Sequence, residues 1–176
     1  MRLFLALISF TLLLFGSACF HLKPTNHQVR LHLLDQSSIV DWTQYETLAN
    51  PENSPRIQRV DLPDYLHELR IFYRRADGTP AYVDTDRWAE PLRDGIARYL
   101  AIALVGNDKL TSTTGLRLDF RSFDPVRGSG VWVDVAVEHN NTVRHLRFRE
   151  GTGHYRSTEA LIAEMAAALD TLITKL

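Results

Sequence analysis

One cysteine stands in 176 residues, and that scarcity excludes a good deal. No internal disulfide can form, no CxxC redox pair or thiolate metal cage exists, and no second thiol is available as a nucleophile. The HExxH, GxSxG, phosphate-loop and dinucleotide fingerprints are missing as well, so neither a catalytic motif, a metal site nor a cofactor is expected. Charge imbalance is also lacking: 20 Lys and Arg face 21 Asp and Glu, for a net charge of −1. A nucleic-acid partner would call for a marked basic excess. Beyond the N-terminal stretch there is no long apolar run, so the body of the chain does not read as membrane-spanning. Repeats and low-complexity tracts are absent. The remaining composition, 45% hydrophobic, is ordinary for one packed domain.

What is present begins with the place of that cysteine. Arg2 is followed by the apolar run Leu3 to Phe15, then Gly16-Ser17-Ala18, then Cys19. The run is too short and too one-sided to span a bilayer and reads as an export signal. A cysteine at the first mature position is what a bacterial lipoprotein needs for its diacylglycerol thioether. Gly16 and Ala18 also satisfy the small-x-small rule of ordinary signal peptidase. A lone exported thiol, useless for an internal disulfide, favours lipidation of Cys19. The chain divides accordingly into a signal (1–18), a lipidated tether containing Pro24 (19–27) and a folded domain (28–176). Phe20, where Asp commonly retains lipoproteins at the inner membrane, points to the outer membrane.

Within the domain, hydrophobic period separates strands from helices. Gln28 to Leu34 alternates, with Val29, Leu31 and Leu33 on one face, and predicts a first strand. Residues 35 to 55 are a polar connection with one loose turn around Trp42, Tyr45 and Leu48. Arg56 to Leu62 and Leu69 to Arg75 are the next strands, separated by a turn at Pro63. Asp77-Gly78 reverses the chain into a fourth strand at Ala81 to Asp84. Asp86 is the expected N-cap of a helix carrying Trp88, Leu92, Ile96, Leu100 and Ala103 and ending at Gly106. Three strands follow, around Leu116 to Arg121, Val131 to Glu138 and Leu146 to Phe148, with reversals at Gly128 to Gly130 and Asn140-Asn141. Ser157 caps a last helix whose stripe is Leu161, Ile162, Met165, Leu169, Leu172, Ile173 and Leu176. The pattern predicts a two-layer α/β domain: a mixed, largely antiparallel sheet with two main amphipathic helices on one face.

Candidate chemistry is thin. His21, His27 and His32 have no metal-ligand spacing and read as solvated. His139, His145 and His154 with Asp134 suggest a hydrolytic cluster, but polar strand ends explain them better. Arg70, Arg74 and Arg75, and Arg144, Arg147 and Arg149, form two basic groups of the kind that protect strand edges; an acidic partner or a headgroup is the sharper reading. A lipid-carrying cavity would need Phe120, Val133 and Phe148 as lining, whereas a domain of this size tends to fill its core.

Two segments go further than composition. Val60-Asp61-Leu62-Pro63-Asp64-Tyr65-Leu66 runs a strand into Pro-x-Tyr-Leu, and Arg87-Trp88-Ala89-Glu90-Pro91-Leu92 opens onto a helix continuing through Ile96 and Tyr99-Leu100. In this order, behind a lipoprotein signal, they resemble the ABC-type transport auxiliary lipoproteins, the PqiC-like group that accompanies MCE-domain proteins. His67-Glu68-Leu69-Arg70 departs from the stretch common in that group. The resemblance implies a non-catalytic lipoprotein at the periplasmic face of the outer membrane, an MCE-domain partner in intermembrane lipid transport, and a possible homo-oligomer. It also implies a partner-binding surface shaped by Pro63, Tyr65, Leu66, Trp88 and Pro91. A lipid carrier and a lipid-anchored hydrolase remain as alternatives.

Overall fold

A computed structural model describes residues 28–34, 57–104 and 115–176. Among them seven strands share one sheet: β1 (Arg30–His32), β2 (Ile57–Asp61), β3 (Arg70–Arg74), β4 (Pro80–Trp88), β5 (Leu116–Val126), β6 (Gly130–His139) and β7 (Thr142–Glu150). Two helices, α1 (Leu92–Ala103) and α2 (Thr158–Lys175), complete the domain, with a single 3-10 turn at Asp64–Leu66. The strand order is β1-β4-β3-β5-β6-β7, and β2 pairs with β5. β2 runs parallel to the first half of β5, while β3 meets only its end, at Arg74 opposite Val126. β5, β6 and β7 form the expected antiparallel meander.

Period-2 alternation sorts the meander into two faces. Leu116, Leu118 and Phe120 of β5 and Val131, Val133, Val135 and Val137 of β6 are buried together with Leu161, Met165, Leu169 and Leu172 of α2. Each such side chain, fully withdrawn from water, contributes about 1.5–3 kcal/mol. An irregularity between Phe120 and Ser122 resets the alternation, so that Phe123 also turns inward and meets Phe120 edge-on at 5.5 Å. α1 lies over β2 and touches α2, where the buried Tyr99 hydroxyl donates to Asp170 at 2.8 Å. The other face of the meander is left uncovered by either helix. This is the mixed-sheet, two-helix α/β architecture the hydrophobic pattern implies.

Local signals hold at the turns. Asn140 and Asn141 sit at φ 51° and 59°, the left-handed pair that a two-residue hairpin needs. Ser157 caps α2, its hydroxyl accepting from the Ala160 amide at 3.3 Å.

Three expectations need correction. Asp86 is not an N-cap: β4 continues through it to Trp88, and α1 starts after Pro91, because a residue ahead of proline is driven to extended backbone. Trp88 therefore closes a strand and does not open the helix. The apolar row of β1 also faces the wrong way, with Val29, Leu31 and Leu33 exposed and only Leu34 in the core. The turn around Trp42 and the cap at Gly106 lie outside the described residues, as do Cys19, His21 and His27.

Candidate functional site

The uncovered sheet face starts at β3. Phe72 lies opposite Tyr82 there, with ring centroids 5.6 Å apart, and Tyr65, carried by the 3-10 turn after Pro63, tilts against Phe72 at 4.7 Å. The Tyr65 hydroxyl donates to Asp124 Oδ1 at 2.7 Å, and Arg74 Nε donates to Asp124 Oδ2 at the same distance. Arg74 also lies over the Tyr65 and Phe72 rings, so it is a packed ion-pair partner and not a solvated edge charge. Burial first, and the Asp124 carboxylate second, push the Tyr65 phenol well above its usual range, with Arg74 partly offsetting them. Tyr65 is thus a neutral donor at any physiological pH.

Asp124 faces Trp132 across the β5–β6 register, and Trp132 in turn faces Arg149. Trp132 is 51% exposed although its indole N–H is bonded to Ser129 Oγ at 3.0 Å. An exposed tryptophan on a sheet, held by one polar bond, is an anchor without a pocket. Around it are Arg147, paired with Asp134 at 2.6 Å, and Arg149, which has no carboxylate partner among the described residues. Toward the other end of the same face, Arg117 and Glu138 pair at 3.6 Å. The surplus of positive charge is therefore local to the Trp132 end.

The second polar centre lies behind the sheet. Between Arg70 and Phe72 on β3, β4 inserts extra residues, since Arg70 faces Arg87 but Phe72 faces Tyr82. Arg87 Nη1 reaches the carbonyls of Val83, Asp84 and Asp86 and holds this bulge in shape. The bulge turns Asp86 inward, where it is 1% exposed. Arg30 donates to both its oxygens, at 2.8 and 3.0 Å, His32 Nε2 lies at 2.6 Å, and the Thr85 and Thr158 hydroxyls donate at 3.0 and 3.1 Å. A carboxylate only accepts, so Nε2 is the protonated nitrogen of His32. Burial alone would raise the carboxyl's pKa, but the bonds from His32, Arg30, Thr85 and Thr158 outweigh it and hold Asp86 well below the usual carboxylate range. His32 is only 12% exposed, contrary to the solvated reading of it.

Of the residues expected to shape a partner surface, Leu66 and Trp88 are core, at 3% exposure each. Pro63 and Tyr65 are half-buried and Pro91 is exposed. Tyr65 reaches the Trp132 face through Asp124, Pro63 precedes its turn, and Pro91 sits at the start of α1. Trp132 itself was missed: its alternation with valines marks it as outward-facing, but only the register places it between Asp124 and Arg149.

Asp134 is engaged by Arg147, and the residue facing His145 is Ala136, so the hydrolytic pairing of Asp134 with a neighbouring histidine is not assembled. Phe120 and Val133 are buried in the packed core, and Phe148 packs against it partly buried, its ring under Lys175. Among the described residues no group of His, Cys, Asp and Glu is arranged to hold a metal ion, and no helix is long and apolar enough to cross a membrane.

The family model described as the ABC-type transport auxiliary lipoprotein component matches residues 43–176. Among solved structures, one uncharacterised protein shares 14% identity at a TM-score of 0.52, covering 84% of this chain and 95% of its own. Another, a Xanthomonas campestris protein of family DUF330, shares 17% identity at a TM-score of 0.47, covering 72% and 85%. No curated protein matches the chain.

Proposed function

Because the chain belongs to the family of ABC-type transport auxiliary lipoprotein components, we propose that it is the non-catalytic docking subunit of an MCE-type intermembrane lipid-transport system. An auxiliary part in ABC-type transport comes with the family. The finer assignment adds a lipid on Cys19, residence at the periplasmic face of the outer membrane, and an MCE-domain protein as partner. A lipid on Cys19 confines the domain to one surface and so raises its effective concentration for a partner there.

The observation that carries the docking role is the Trp132 face. A half-exposed indole facing the unneutralised Arg149 suits a partner that presents an acidic, partly apolar surface. Tyr65, on the turn that Pro63 opens, extends that face toward β3.

Affinity purification of the tagged full-length protein from detergent-solubilised envelopes, read by mass spectrometry, tests this. The wild-type chain recovers an MCE-domain protein, Cys19→Ser loses membrane association and that recovery, and Trp132→Ala with Arg149→Glu lowers recovery at least tenfold while the protein stays anchored. Recovery of intact lipoprotein without any transporter subunit refutes the docking role. Undiminished recovery with the double variant refutes the assignment of this face.

A further inference from the structure

A cleft of about 390 Å³ opens on the helix side of the sheet, where the β4 bulge, the start of α2 and the residues before it meet. Its walls include Tyr73, Tyr155, Arg127, Arg156 and Asp84. Nothing in the docking role uses it, and it lies on the opposite face from Trp132.

The cleft is charged in a particular way. The Arg127 guanidinium lies 5.4 Å from the centre of the Tyr73 ring, which fixes its direction at low entropic cost. Neither Arg127 nor Arg156 has a carboxylate partner among the described residues, and neither does Asp84, so two cations and one anion border the same space with their charges unspent. The nearest buried charge, Asp86, is already satisfied by Arg30, His32, Thr85 and Thr158 and adds little net field. Guanidinium groups select phosphate oxygens, to which they donate in a fork. An unpaired carboxylate such as that of Asp84 suits a primary ammonium. The volume is at the small end of ligand sites and holds a polar headgroup better than acyl chains.

We propose that this cleft binds a phosphodiester that carries a primary amine, with Arg127 and Arg156 on the phosphate and Asp84 on the ammonium. Two sources offer that chemistry, a phosphoethanolamine lipid headgroup at a membrane surface and a free phosphoamine. The assignment goes beyond docking and does not depend on the identity of the protein partner.

The test uses full-length protein in detergent, titrated with glycerophosphoethanolamine and followed by isothermal calorimetry. Saturable binding is expected. Arg127→Gln and Arg156→Gln should each weaken it at least fivefold, their combination should abolish it, and Asp84→Asn should remove the preference over glycerophosphocholine. These side chains are exposed at the cleft, so circular dichroism should be unchanged. Vesicles of phosphatidylethanolamine that compete with the soluble probe identify the lipid headgroup as the source; vesicles that fail to compete while the probe still binds identify the free phosphoamine. Absence of saturation at millimolar probe, equal affinity for inorganic phosphate, or indifference to the double arginine variant overturns the proposal. Trp132→Ala leaves this titration unchanged, and the arginine variants leave partner recovery unchanged, so failure of one reading is told apart from failure of the other.

Discussion

Replacing Asp86 with Ala tests how β1 is held to the domain. β1 is three residues long and lies at the sheet edge, so its ladder with β4 is short. Beyond that ladder it is held by the Asp86 cluster, the insertion of Leu34 and the Arg98 guanidinium on the Leu34 carbonyl. The cost of losing the carboxylate sums unequal parts. Arg30 is 57% exposed and turns into water, so its share is that of a screened surface pair, about 0.5 kcal/mol. The Thr85 and Thr158 bonds contribute about 1 kcal/mol each. His32 loses its acceptor where water has little access, worth about 1 kcal/mol more. The expected destabilisation is about 3.5 kcal/mol, and Asp86→Asn, which keeps an acceptor, loses roughly half of it. Urea unfolding followed by circular dichroism at pH 7 measures both. The pH dependence has a definite sign. A carboxyl whose folded pKa lies below its unfolded value stabilises fully above about pH 4 and loses that stabilisation as pH falls below it. Wild-type stability should therefore drop from pH 5 toward pH 2 more steeply than that of Asp86→Asn. A change under about 0.5 kcal/mol for Asp86→Ala, or parallel acid profiles, refutes the clamp.

Three further outcomes follow from single contacts. Tyr65→Phe removes one donor from Asp124 while Arg74 remains, and chemical denaturation should show a loss of about 1 kcal/mol. Gly153→Ala, at φ 73°, would drive a methyl into the Val126 carbonyl and the Gly128–Ser129 backbone; a thermal melt should fall by several degrees, and an unchanged melt would mean this loop does not brace the β5–β6 turn. Trp132→Ala, half exposed and bonded only to Ser129, should move the unfolding free energy by no more than about 0.5 kcal/mol even as partner recovery falls.

Where the sequence succeeded, the deciding forces are local. Alternating valines in β6 point one way because backbone pleat allows nothing else, and paired asparagines tolerate the turn at 140–141 because their φ values are accessible to Asn. It failed where a distant residue decides. Val29, Leu31 and Leu33 form the more hydrophobic row in and beside β1, yet His32 is the side chain that turns inward, with Arg30 reaching in from the surface, because Asp86, more than fifty residues away, must be satisfied. Asp86 has the chemistry and position of an N-cap, and only the β4 bulge, braced by Arg87, makes it a buried centre.

By itself, then, the sequence determined the class of fold and the family, because composition, period and motif order need no third dimension. Tertiary structure alone decided that Trp132 stands between Asp124 and Arg149, and that Tyr65, Arg74 and Asp124 form one cluster. It also decided that Arg127 and Arg156 share a cleft with Asp84. Those juxtapositions depend on strand register and bulges, which are set by the packing of residues far apart in the chain.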